Sequence, residues 1–191
     1  MILPDGFHEV PPGRVATITT YLEMREAAPL RPADLPEGCT IRRIERPDSV
    51  WYRELFTRVG GQDWLWFSRL VMEVAQLNAI LADPDVHVYT LDRDGTAMGL
   101  LELDYRTKGE CELAFFGVAP EMTGTTAGRC LMNFAIETAF AQSIERFHLH
   151  TCTLDHPRAL AQYQRMGFSP TRTEIRSRVL TQDFTALQPL L

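Results

Sequence analysis

The order of hydrophobic periods and turn signals predicts an α/β (α+β) sheet sandwich rather than a doubly wound fold. Three observations carry that prediction. Two helix-period stretches precede the strand-like middle of the chain, three strand-like runs joined by short turns occupy residues 86–118, and helix and strand then alternate to the end. The middle runs connect as hairpins, so their strands pair antiparallel.

Six of the 12 prolines fall within the first 36 residues, which predicts an extended, interrupted N-terminal arm over residues 1–38. Inside it VATITTYLEM, residues 15–24, is β-branched enough to pair as an extra edge strand. The main domain is expected to run from residue 39 to 191 and to open with the short strand CTIRRI, residues 39–44. Asp48 offers an N-cap, and Trp51, Tyr52, Leu55, Phe56 and Val59 recur at helical spacing as far as Gly60-Gly61. Phe67, Leu70, Val71, Val74, Leu77 and Leu81 make the stripe of a second helix, stopped by Asp83-Pro84.

VHVYTL (86–91) and AMGLLELDY (97–105) flank the turn Asp92-Arg93-Asp94-Gly95, a strong hairpin signal. ECELAFFGV (110–118) is the next strand, residues 127–141 a helix, and RFHLHTC (146–152) a strand. Residues 157–166 form a short helix with Pro157 in its first turn and Gly167 at its end, and RTEIRSRVL (172–180) alternates as a closing strand.

Composition narrows the function. With 45% apolar and 23% charged residues in 191, the chain has the profile of a soluble domain that can bury its own core. A formal charge of −6 without a Lys/Arg block excludes nucleic acid as a partner. No run is long enough to cross a bilayer and no basic leader precedes residue 14, so a cytoplasmic location is expected, away from membranes. The four cysteines lie tens of residues apart, which suits reduced thiols and neither a disulfide framework nor a metal site.

The segment FFGVAPEMTGTTAGRCLMNFA, residues 115–135, carries the chemistry. An apolar strand meets Pro120, then a loop with two glycines and three threonines, then a helix. The first N–H groups of a helix have no partners within it, its dipole adds partial positive charge, and glycine lets the backbone approach a phosphate. Hydroxyls of Thr123, Thr125 and Thr126 are further donors. Neither a G-x-G-x-x-G fingerprint, a P-loop ending nor a G-x-S-x-G elbow is present.

Two motifs resemble the GNAT superfamily of acetyl-CoA-dependent N-acetyltransferases. In that family a strand ends in Val-x-Pro, an Arg/Gln-x-x-Gly-x-Gly/Ala turn follows, and a helix opens near Leu-Met or Leu-Leu. Here the corresponding residues are Val118-Ala119-Pro120, then Thr123-Gly124-Thr125-Thr126-Ala127-Gly128, then Arg129-Cys130-Leu131-Met132. The family's second segment, Asn-x-x-Ala-x-x-x-Tyr-x-x-x-Gly-Phe, aligns with His156 to Phe168, placing Tyr163 and Gly167-Phe168 in register. Thr123 stands in place of Arg or Gln, and Thr126 in place of the first signature glycine, which implies weakened coenzyme binding if that position needs positive φ.

The resemblance implies a mixed, mostly antiparallel sheet with one splayed strand pair and helices on both faces. It implies acetyl-CoA as cosubstrate, its pantetheine along Phe116, Gly117 and Val118 and its pyrophosphate at Thr123, Gly124, Thr125, Thr126, Ala127, Gly128 and Arg129. Tyr163 falls at the general acid, or else is a helix tyrosine packed on the sheet. Glu112 is the expected general base, its pKa raised by desolvation, with Glu102 as a rival. His148 and His150 share a strand face and lack a third partner, which favours a structural role. Acceptor recognition falls on residues 60–67, where a mobile glycine pair precedes Asp63, Trp64 and Trp66. Asp63 would anchor an amine while the tryptophans frame a cationic or aromatic acceptor, or simply pack the second helix. The leading reading is an N-acetyltransferase acting on a small-molecule or peptide amine. A catalytically silent acyl-CoA-binding or sensory module, and acyl transfer to a hydroxyl or from a longer acyl-CoA, remain open, as does a homodimer.

Overall fold

The computed structural model describes residues 4–179 except 62 and 65; residue 180, the last of the expected closing strand, lies outside them. Seven strands among the described residues form one sheet: β1 (Arg14–Met24), β2 (Cys39–Ile44), β3 (Val86–Arg93), β4 (Thr96–Asp104), β5 (Glu110–Val118), β6 (Arg146–Cys152) and β7 (Ser169–Val179). Their spatial order is β2-β3-β4-β5-β6-β1-β7. All neighbours are antiparallel except β5 and β6. Helices α1 (Ser49–Phe56) and α2 (Val74–Leu81) cover one face, and α3 (Ala127–Phe140) covers the other, followed in the chain by α4 (Ala159–Arg165).

Each face has its own core. Tyr52, Leu55, Phe56 and Val59 pack with Leu77 and Leu81 on Val86, Val88 and Leu100. On the other side Leu131, Met132, Ala135, Ile136 and Ala139 pack on Leu91, Leu101, Leu103, Leu113, Phe147 and Leu149. The β3–β4 hairpin turns through Asp94 and Gly95, both at positive φ (50° and 79°), which suits the right-handed strand twist. Among the described residues no helix is long and apolar enough to cross a membrane, and all four cysteines are free thiols.

Two elements differ from the sequence expectation. The segment expected as an edge strand is β1, and it lies inside the sheet between β6 and β7. Its two-sided pattern suits that position: Leu22 and Met24 enter the α3-side core while Thr19, on the opposite face, is 2% exposed. The second helix starts at Val74, not near Phe67, although its stripe begins there. The Arg53 guanidinium donates to the carbonyls of Arg69 and Met72, so these groups find partners without a helical ladder. Val71 and Val74, expected on the buried stripe, are each 50% exposed.

Candidate active site

β5 and β6 pair only at Glu110↔Arg146, Cys111↔Phe147 and Glu112↔His148, then part. At the same point β5 carries an extra residue: Glu102 opposes Phe115 and Leu103 opposes Leu113, leaving Ala114 as a bulge. A bulge bends its strand, and here the bend falls where β5 leaves β6. Residues 116–118 keep their ladder to β4 and have no strand on their other edge. The Ala119 N–H donates to the Met98 carbonyl at 2.7 Å, so alternation turns the Val118 N–H the opposite way, into the gap. A cavity of about 740 Å³ opens there.

The loop after β5 lines one end of this cavity. Thr123, Gly124, Thr125, Gly128 and Arg129 are on its wall together with Phe116, Gly117 and Val118; Thr126 and Ala127 are not. Ala127 is fully buried, and the Thr126 hydroxyl donates to the Asp34 carbonyl of the N-terminal arm at 2.7 Å. The Thr125 hydroxyl donates to the Met122 carbonyl and accepts from the Ala127 N–H. Of the three hydroxyls expected as phosphate donors, only that of Thr123 has no partner among the described residues. The Gly128 and Arg129 N–H groups have no protein acceptor among the described residues, which leaves them for an anion at the start of α3. Thr126 has φ −77°, open to any residue, and the positive φ of the loop (82°) falls on Gly124. The replacement of a glycine by Thr126 therefore strains nothing.

Tyr163 lines the cavity from α4, with its ring edge-on to Phe116 and Phe168. The helix ends two residues later, at Arg165, in a turn that fixes it: Phe168 N–H donates to the Tyr163 carbonyl, and Gly167 takes φ 104°. The Tyr163 hydroxyl has no protein partner among the described residues, and burial, then the nearby Asp155 carboxylate, holds its pKa above the usual phenol value.

Asp155 joins the two sides of the gap. One oxygen accepts from the Thr151 hydroxyl (2.7 Å) and the Cys152 N–H (2.8 Å), and the other faces Trp66 Nε1 at 3.4 Å. Trp64 and Trp66 both line the cavity; Asp63 is exposed and does not. Gly60 has a packing role in this structure. It is buried under Trp66, and a Cβ there would lie 2.1 Å from the indole, while one at Gly117 would meet Val59 at 2.6 Å. These glycines let the indole and Val59 lie against the backbone.

Neither expected base reaches the cavity wall. Glu102 is fully buried, accepting from the Tyr52 hydroxyl and the Arg69 guanidinium. Glu112 has its carboxylate 3.6 Å from His150 Nδ1, and it is His150 that lines the cavity. The expected rise in the Glu112 pKa is reversed: hydrogen bonding to His150 outweighs desolvation and holds it below 4.5. His148 is shifted below 6.5, by burial first and by Arg146 next.

Both folded pKa values lie below the unfolded ones, so each group stabilises the fold above its ordinary value and ceases to as pH falls. Thermal midpoints should decline from pH 6.5 downward through His148 and again below pH 4.5 through Glu112. Circular dichroism melts of Glu112→Gln should show a flatter decline below that second point. An unchanged slope would remove Glu112 from the acid response.

Several cavity residues carry no local sequence signal. Arg31 comes from the arm, whose residues 31–34 run along α3: the Arg31 carbonyl accepts from Asn133 at 2.7 Å and that of Ala33 from Cys130. Arg176 and Arg178 come from β7.

Residues 43–168 match the acetyltransferase (GNAT) family. No curated protein sequence matches the chain. A GCN5-related N-acetyltransferase from Sphaerobacter thermophilus superposes with TM-score 0.66 at 15% identity, over 86% of this chain and 52% of that one. One from Kribbella flavida gives 0.56 at 18% identity, over 86% and 59%. An aminoglycoside acetyltransferase from an uncultured soil metagenomic sample, in complex with sisomicin, gives 0.55 at 12%, over 68% and 88%. The chain spans between half and three fifths of the first two relatives. At these identities the likeness is one of fold.

Proposed function

Because the chain belongs to the GNAT acetyltransferase family, we propose that it transfers the acetyl group of acetyl-CoA directly to an amine. The observation that carries the reading is the gap between β5 and β6. Its cavity is lined by the residues of the free amides at the start of α3, by the unpaired edge of residues 116–118 and by Tyr163, whose hydroxyl has no partner among the described residues.

The residues divide the work as follows. The Gly128 and Arg129 amides meet the pyrophosphate, with the Arg31 and Arg129 guanidiniums supplying charge that Thr123 lacks. The edge of Phe116 to Val118 accepts the pantetheine amides as a short added strand. The Val118 N–H stabilises the oxyanion that forms when the amine nitrogen adds to the thioester carbonyl. As the carbon–sulfur bond breaks, Tyr163 gives its proton to the thiolate. The first proton leaving the ammonium goes to His150, which Glu112 orients from behind and which replaces Glu112 as the contacting base. The second, lost from the nitrogen as the adduct collapses to the amide, restores the Tyr163 hydroxyl.

Calorimetry with acetyl-CoA and a thiol-release assay test this reading. Arg31→Ala is expected to weaken acetyl-CoA about tenfold, the effect of losing one charge-assisted hydrogen bond of ~1.5 kcal/mol. Absence of acetyl-CoA binding at millimolar concentration would sink the proposal. Binding without thiol release from any amine would instead leave a silent acyl-CoA-binding module.

A further inference from the structure

The acceptor end of the cavity has the wrong charge for a simple cationic amine. Phe147 and Leu149 of β6 face the α3-side core, so His148, His150 and Cys152 face the other way. Register places Tyr21 opposite both His150 and Arg172, Thr17 opposite Arg176 and Val15 opposite Arg178, so these side chains share the face of His150. Contacts agree: the Tyr21 ring lies 5.8 Å from His150, and the Arg176 guanidinium donates to the Tyr21 hydroxyl.

Arg176 and Arg178 both line the cavity, two residues apart on one strand face. Neither has a carboxylate within 4.0 Å among the described residues, whereas their neighbour Arg172 is 3.4 Å from Glu174. Arg178 is held instead against the Phe67 ring at 5.0 Å, and Arg176 lies 5.6 Å from the ring of Tyr21. Among the described residues Asp155 is the one acidic residue on the wall, and both its oxygens already face protein donors. In a chain of net charge −6, two guanidiniums stand beside the candidate base with no carboxylate within 4.0 Å among the described residues, Arg176 reaching Glu174 only through the Tyr21 hydroxyl and Arg178 lying against the Phe67 ring. Guanidinium groups bind oxyanions through paired N–H donors.

We propose that the acceptor is an amine that also carries an oxyanion, a carboxylate or a phosphate. The anion docks on Arg176 and Arg178 while the nitrogen faces His150. This rests on the acetyl-transfer reading for the amine's fate, but the anion preference is measurable without coenzyme.

Calorimetry on the full chain would compare L-phenylalanine with its amide and O-phosphoethanolamine with ethanolamine. The anionic member of at least one pair should bind tenfold or more tighter, and the responding pair identifies carboxylate or phosphate. In Arg176→Gln/Arg178→Gln the preference should fall to within twofold while acetyl-CoA affinity stays within twofold. Arg178→Gln alone, which keeps the Tyr21 contact, should lose part of it. Equal binding within both pairs, no binding by any probe, or a preference that survives the double substitution would overturn the proposal. Failure of acetyl-CoA to bind would overturn the transfer reading instead and leave the anion result standing by itself.

Discussion

Tyr163→Phe should reduce thiol release by about 10² to 10⁴-fold, the range for loss of a positioned general acid, while leaving acetyl-CoA affinity within about twofold. The expectation follows from how the residue is held. Its ring makes the edge contacts to Phe116 and Phe168, at 6.3 and 6.1 Å, and Phe retains both. Among the described residues the hydroxyl has no protein partner, so removing it leaves no described group unpaired. What disappears is the hydroxyl proposed as proton donor, whose pKa burial holds above the usual phenol value. A merely structural tyrosine would show the reverse pattern, a lowered thermal midpoint with turnover retained. Turnover within threefold of the parent enzyme would exclude Tyr163 as the acid.

The cavity was legible in the sequence where its residues signal locally. The Pro-terminated strand, the glycine loop and the Tyr-x-x-x-Gly-Phe helix end each depend on near neighbours, so the strand, loop and helix of residues 115–135 and the helix of Tyr163 are readable from sequence, although Thr126 and Ala127 lie off the cavity wall. What the pattern missed depends on long-range pairing. The extended character of β1 is written in its β-branched residues, but its place between β6 and β7 is set by partners more than 120 residues away. The Thr126 hydroxyl is consumed by Asp34, distant in sequence, and the sign of the Glu112 shift is decided by a histidine of another strand. Arg176 and Arg178 read as ordinary alternating residues of an edge strand until the register aligns them with His150.

Breaking the Glu102–Arg69 pair should be the most destabilising change in the acceptor half, about 3–5 kcal/mol for either Glu102→Leu or Arg69→Met. The side chains are 0% and 10% exposed, and Glu102 also accepts from the buried Tyr52 hydroxyl, so removing one partner strands a charge away from water. The double substitution removes both charges and should recover most of the loss, and adding Tyr52→Phe, which removes the remaining orphaned donor, should recover more. Urea denaturation of the singles, the double and the triple measures the coupling. Additive losses would mean that the pair acts as two independent side chains. The pair also has a positional consequence. Arg69 belongs to the connection that presents Trp66 and Phe67 to the cavity, and its guanidinium lies 5.1 Å from the Phe115 ring. In the double variant, stability returns without the tether that ties this connection to β4. Acceptor KM should therefore rise while acetyl-CoA affinity, which we propose depends on the amides at the start of α3, stays as it was.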